Sequence, residues 1–229
     1  MSERFFDQKE KMDNLKIIRQ YNLLYALHEM GDRNDVIVDT HGNASIRDED
    51  FMWIKPSGMK YKMIGVSDLC ALDFDLNVPE FRTTNQRTPS VDSVHHAAIY
   101  LRHPNIGAIC HTHSPYVVSY AARDCSIECY TTEHADYFGR KIRCLDYADL
   151  SCWGKYVTVS KDERAILLGS HGALTFADDA CKAVELAIAL ELIAMKAYLI
   201  EAANKFTSPM LELEIDKWHS RYVNSYGQK

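Results

Sequence analysis

GAICHTHSPY, residues 107–116, ends an apolar run with two histidines set two positions apart. Side chains at i and i+2 of a strand share a face. His111 and His113 therefore project together while Thr112 faces away. Two imidazoles on one face suit a divalent metal such as zinc, with Zn–N near ~2.0–2.1 Å. The other reading is a pair of core histidines satisfied by hydrogen bonds.

Working outward, Val94, Ala97, Ala98 and Leu101 predict a helix that Pro104 stops, followed by a strand over Ile106–His111. TPSVDSVHH puts Asp92 at the start of that helix, as an N-cap or as a carboxylate ligand. AILLGSHG predicts a strand over Ala165–Leu168 with His171 just beyond its end. Three histidines and one carboxylate fill a zinc shell. His95 and His96 lie within the helix and read as packing or surface groups. His41, in a loop before Gly42-Asn43, is a weaker ligand candidate than His171.

Two loops are candidates for anion binding: Lys55-Pro56-Ser57-Gly58 and Gly42-Asn43-Ala44-Ser45. Glycine lets backbone N–H groups approach an anion, Lys supplies a charge, and Ser and Asn supply donors. Ordinary turns explain the same residues.

Elsewhere, Ile17, Ile18, Tyr21, Leu24, Tyr25 and His28 share a helical face that Gly31 can cap. Val36–Asp39, Ala44–Arg47 and Leu69–Phe74 read as strands, and Asp48-Glu49-Asp50 as a hairpin turn before Phe51–Lys55. Lys141–Leu145 is another strand. Helices over about 179–203 and 210–219 close the chain, leaving the tail RYVNSYGQK. The irregular interleaving predicts a mixed sheet with helices on its faces.

The 229 residues suit a single domain over 1–229, 47% hydrophobic and 25% charged. A net charge of -6 argues against sequence-independent nucleic-acid binding. Seven cysteines without a CxxC pair read as reduced thiols. Cys125 and Cys129 have ligand-like spacing but no second pair. The N-terminus lacks an apolar signal region. The apolar stretch Ala183–Ile200 holds Glu185, Glu191 and Lys196, so it reads as a buried helix and not a membrane span. A cytoplasmic protein is expected.

In order, GNAS, IKPSG, PSxD, HTHS, HADYF, SHG and YGQ resemble the class II aldolase/epimerase superfamily, from about residue 10 to the C-terminus. EHADYF (133–138) and Tyr226-Gly227-Gln228 resemble its sugar-phosphate 4-epimerases, of the L-ribulose 5-phosphate to D-xylulose 5-phosphate type. The resemblance implies an α/β (α+β type) fold with a central, mostly antiparallel sheet flanked by helices. It implies a homotetramer with sites between subunits. It implies zinc (manganese or cobalt being accepted by related sites) on Asp92, His111, His113 and His171. It implies a sugar phosphate held by Asn43, Lys55, Ser57, Gly58 and Ser90. It implies two acid/base groups, Asp136 and a Tyr226 reaching in from a neighbouring subunit. The implied chemistry is retro-aldol C–C cleavage and re-addition to the opposite face, with the metal as Lewis acid.

Some positions depart from the epimerase pattern. Val91 stands where a second serine is usual, Glu133 where a threonine is, and Trp218 where a histidine is; Arg221 matches. The segment from Phe138 to His171 is short. These sites surround substrate recognition and keep an aldolase or decarboxylase on the same scaffold in view. A non-catalytic module like the adducin head would lack the ligands that are present here.

Overall fold

The computed structural model describes residues 2–82, 86–146, 152–203 and 207–227, with side chains from Asn14 onward. The histidine-bearing segment forms β4 (Ala108–Thr112), every residue of which is buried. A strand buried on both faces needs neighbours at both edges and cover above and below. β1 (Asn43–Asp48) and β7 (Gly172–Ala177) flank it antiparallel, with Asn43 and Leu174 opposite His111. β2 (Phe51–Ile54), β3 (Cys70–Asp73), β6 (Ala165–Leu168) and β5 (Cys144–Leu145) complete seven strands in the order β3-β2-β1-β4-β7-β6-β5. Among the described residues only β5–β6 is parallel. The expected mostly antiparallel sheet is therefore present.

Helices cover both faces. α1 (Ser2–Gly31) and α5 (Ala180–Ala203) pack Leu23, Leu27, Ala183 and Val184 against Ala44, Trp53 and Cys110. α2 (Ser93–Arg102) packs Ile99 and Tyr100 against Ile54, Ile109 and Leu174 on the other face. Fully burying each such side chain stabilises by roughly 1.5–3 kcal/mol. α3 (Pro115–Ala121) lies against α5, and α4 (Thr132–Phe138) is covered by α6 (Glu212–Ser225) through Cys129, Ala135 and Ile215.

The hairpin at Asp48–Phe51 forms as expected, with Glu49 at φ 55°. Val36–Asp39 is not a strand. Local turn bonds, Val36 and Ile37 N–H to Arg33 and His41 N–H to Val38, take its backbone groups, and Asp39 is left-handed. The predicted strand at Lys141–Leu145 shrinks to two residues, because Ile142 forms an isolated bridge with Ile127. β7, α3 and α4 are elements that pattern reading does not assign. The two helices are seven residues each, too short for a helical period to repeat. Most of the tail is helical, since α6 runs on to Ser225; Gln228 lies outside the described residues.

Candidate functional site

β4 ends at Thr112, and the β6–β7 hairpin turns through Gly169, Ser170 and His171 beside it. This antiparallel neighbour brings His171 to the two histidines of β4. Nε2 of His111 lies 2.9 Å from Nε2 of His113 and 3.1 Å from Nε2 of His171. Four ligands about 2.0–2.1 Å from one ion sit roughly 3.3 Å apart, close to these separations.

The donor set fits a cation. His111 donates from Nδ1 to the Ala173 carbonyl at 2.9 Å, so its Nε2 carries the lone pair. Two further ring nitrogens crowd that single lone pair, an arrangement that a shared cation satisfies better than hydrogen bonds do. Fixing one ring nitrogen by a backbone carbonyl is the usual support for a metal-binding histidine. Burial holds His113 at about 3 and His171 at about 4, and also lowers His111. These shifts bias the three imidazoles toward the neutral form that ligation requires.

Asp92 occupies the N-cap position of α2, but its carboxylate makes no cap bond, forgoing about 1 kcal/mol. Its Oδ2 instead accepts from the Asn43 amide at 2.6 Å and lies 4.0 Å from His111 Nε2. Burial pushes this carboxyl up, but His111, His96 and the Asn43 amide outweigh it and hold it below the ordinary range. Asn43 thus orients Asp92, and its Oδ1 is buried without a partner. His95 and His96 are both buried: His95 stacks on Trp153 at 4.1 Å, and His96 Nδ1 lies 2.7 Å from Ser45 Oγ. They pack the core; neither is a surface group.

An open pocket of about 320 Å³ joins His113, His171 and Asp92 to Asn43, Lys55, Ser57, Gly58 and Ser90. Its two walls are zipped together by Ser57 N–H to Thr88 and Ser90 N–H to Lys55. Gly58 has φ +62° with open space around it, so its backbone is free to be approached. Lys55 is 2% exposed and donates to the Thr40 and Pro56 carbonyls at 3.1 and 3.3 Å. Burial lowers its ammonium to about 8. Val91, 80% exposed, sits on the rim. On sequence alone His41 ranks below His171, yet it lines this pocket edge-on to His113 at 5.9 Å; its adjacency to Gly42-Asn43 is the available signal.

Asp136 and Tyr226 do not line this pocket within the chain. They meet at another place, around Arg221. Its guanidinium lies 3.8 Å from Asp136 Oδ2 and 5.1 Å from the Tyr226 ring centroid. Asp136 Oδ1 is buried without a partner, and Tyr226 is exposed. Glu133 is neutralised by an ion pair with Lys196 of α5.

Gly172 is the tightest point of the centre. A Cβ there would meet the Thr112 carbonyl oxygen at 2.3 Å and the His113 ring at 2.8 Å. Gly172→Ala is expected to push β7 from β4, to destabilise by about 1–3 kcal/mol, and to weaken metal uptake. Thermal melting with a parallel metal titration checks both.

Fold and site together describe an α/β enzyme scaffold with a histidine cluster suited to a divalent cation beside a lysine-bearing cradle. The chain belongs to the family described as Class II Aldolase and Adducin N-terminal domain, whose profile matches residues 22–198. It is 30% identical over 216 residues to an L-ribulose-5-phosphate 4-epimerase UlaF of Salmonella paratyphi B, covering 86% of this chain and 93% of that protein. It is 32% identical over 228 residues to a probable L-ribulose-5-phosphate 4-epimerase UlaF of Mycoplasma pneumoniae, covering 90% of each. A solved structure named L-fuculose 1-phosphate aldolase shares the fold, with TM-score 0.78, 24% identity, and coverage of 90% of this chain and 96% of that one. No helix among the described residues is long and apolar enough to cross a membrane.

Proposed function

We propose that this chain is a divalent-metal-dependent sugar-phosphate 4-epimerase of the L-ribulose 5-phosphate type, working in the cytoplasm as a homotetramer of single-domain subunits. The observation that carries the reading is one pocket in which His113, His171 and Asp92 face the Lys55–Ser57–Gly58–Ser90 cradle, in a chain whose relatives bear the epimerase name.

His111, His113, His171 and Asp92 would hold the ion, zinc first and manganese or cobalt as substitutes. When bound, it supplies Lewis-acid stabilisation of negative charge on the ketose oxygens. Lys55, Ser57, Ser90 and the backbone at Gly58 hold the phosphate and fix the sugar's distance from the histidines. One acid/base group takes the C4 hydroxyl proton as C3–C4 breaks. The aldehyde presents its other face, C3–C4 re-forms, and a second group gives a proton to the new C4 alkoxide, so the two must stand on opposite sides. Asp136 and Tyr226 are assigned these roles. Since neither lines the pocket of its own chain, the reading has them serve a neighbouring subunit's pocket.

The phosphate role of Lys55 carries a pH signature. Below about pH 8 its ammonium is charged and attracts the anion. Above that it is neutral, so KM for a phosphate substrate is expected to rise with pH through this range. Lys55→Met should raise KM at neutral pH and flatten the dependence. A pH-independent KM in the parent protein would remove Lys55 from the cradle.

A second reading, an aldolase on the same scaffold, is favoured by the separation of Asp136 and Tyr226 from the pocket. NMR of zinc-loaded protein with L-ribulose 5-phosphate tests both. D-xylulose 5-phosphate establishes the epimerase. Two- and three-carbon fragments without epimer establish the aldolase. No reaction with firmly bound zinc removes this substrate for both.

A further inference from the structure

Glu191 is a buried acid that the proposed reaction does not use. It sits in the middle of α5, 4% exposed, beside Leu190, Ile193 and Ala194. Among the described residues no cationic side chain pairs with it. Burying a carboxylate without a counterion is costly, and burial does raise this one above its ordinary range.

The carboxylate is held by the start of α3, with the Ser114 side chain also stabilising its charge. Oε1 accepts from the Tyr116 N–H at 2.9 Å, and Oε2 from the Val117 N–H at 3.0 Å. These are first-turn amides of α3, which have no partner within the helix. Ser114, at the cap position, makes no side-chain cap bond. The cap is therefore borrowed from a residue 75 positions away.

What lies between this clamp and the sheet is His113. The β4 ladder ends at Thr112, paired with Ala173. His113 is outside the ladder, and only Ser114 separates it from α3. Its backbone is set by the sheet on one side and by the Glu191 clamp on the other. A side chain that must keep its Nε2 2.9 Å from that of His111 tolerates little drift.

We propose that Glu191 is a positioning residue for the metal centre: by holding the first amides of α3 it fixes the His113 imidazole beside His111 and His171. This rests on the metal-site reading above. Gln in its place keeps the shape but offers one acceptor oxygen, and its NH2 opposes the second amide donor.

The test uses the full chain, with zinc affinity from chelator competition and the absorption spectrum of the cobalt-loaded protein. Glu191→Gln is expected to bind zinc about tenfold more weakly and to shift the cobalt spectrum. Ile193→Val, a buried neighbour outside the clamp, is expected to match the parent in both. Parent-like zinc affinity and cobalt spectrum in Glu191→Gln would overturn the inference, whatever the variant's melting temperature, and leave Glu191 a folding role only. If Glu191→Gln does not fold, the same two measurements are made on Glu191→Asp, one methylene short of the amides. Weaker zinc binding with a shifted spectrum then supports the inference, and parent-like values overturn it. A parent protein that binds neither metal would overturn the metal-site reading and this inference together.

Discussion

His111→Ala is expected to abolish metal binding and turnover together while the chain still folds. The side chain is fully buried at the centre of the sheet, and its two ring nitrogens do separate jobs. Nε2 is the hub of the three-histidine cluster; Nδ1 satisfies the Ala173 carbonyl. Losing the second removes one buried hydrogen bond to a carbonyl on a strand paired with β4, at about 0.5–1.5 kcal/mol. That is a fraction of the roughly 5–15 kcal/mol of a typical domain, so circular dichroism should show a folded chain melting several degrees lower. Losing the first removes the ligand that the other two histidines approach. Elemental analysis after dialysis should find the metal gone, and His113→Ala should give the same result with a smaller stability loss. Full metal retention in both variants would sink the ligand set.

Asp136→Asn is expected to keep its metal and lose turnover by about a hundredfold or more, the range of one positioned proton-transfer group. The substitution preserves volume and removes only a part-exposed 3.8 Å ion pair with Arg221, so stability should move little. Asp136 lies away from the histidines in its own chain, where its Oδ1 has no partner. A variant with normal zinc content and normal kcat would show that Asp136 only anchors Arg221. Co-expressing Asp136→Asn and His111→Ala chains tests the proposed sharing of one site by two subunits. If the acid and the metal serve one site from two subunits, some sites in the mixture hold both intact, and activity should exceed that of either variant alone.

Several parts of this molecule are legible without coordinates because they are local. The i, i+2 spacing of His111 and His113 puts both on one strand face whatever lies beside the strand. Asp48-Glu49-Asp50 turns a hairpin because Glu49 and Asp50 make a two-residue loop between the paired Asp48 and Phe51, with Glu49 left-handed. The apolar run from Ala183 reads as a buried helix by length and composition, and α5 is one. The candidate ligands Asp92 and His171 can be named, but nothing local says that they meet His111.

Other parts stay hidden because they depend on pairing across long separations. His171 reaches the cluster because β7 is the strand that packs against β4, a choice made by the burial of Leu174 and Phe176 among residues distant in sequence. Asn43 reads as a phosphate donor, but the β1–β4 register sets it opposite His111 and turns its amide to Asp92. α3 and α4 are too short to announce themselves; a borrowed carboxylate from α5 and a covering helix α6 hold them. The chemistry-bearing residue types and their local spacing are thus properties of the sequence. Their convergence on one pocket belongs to the tertiary structure, because the energy that brings distant strands and helices together comes from shared burial and not from any short-range pattern.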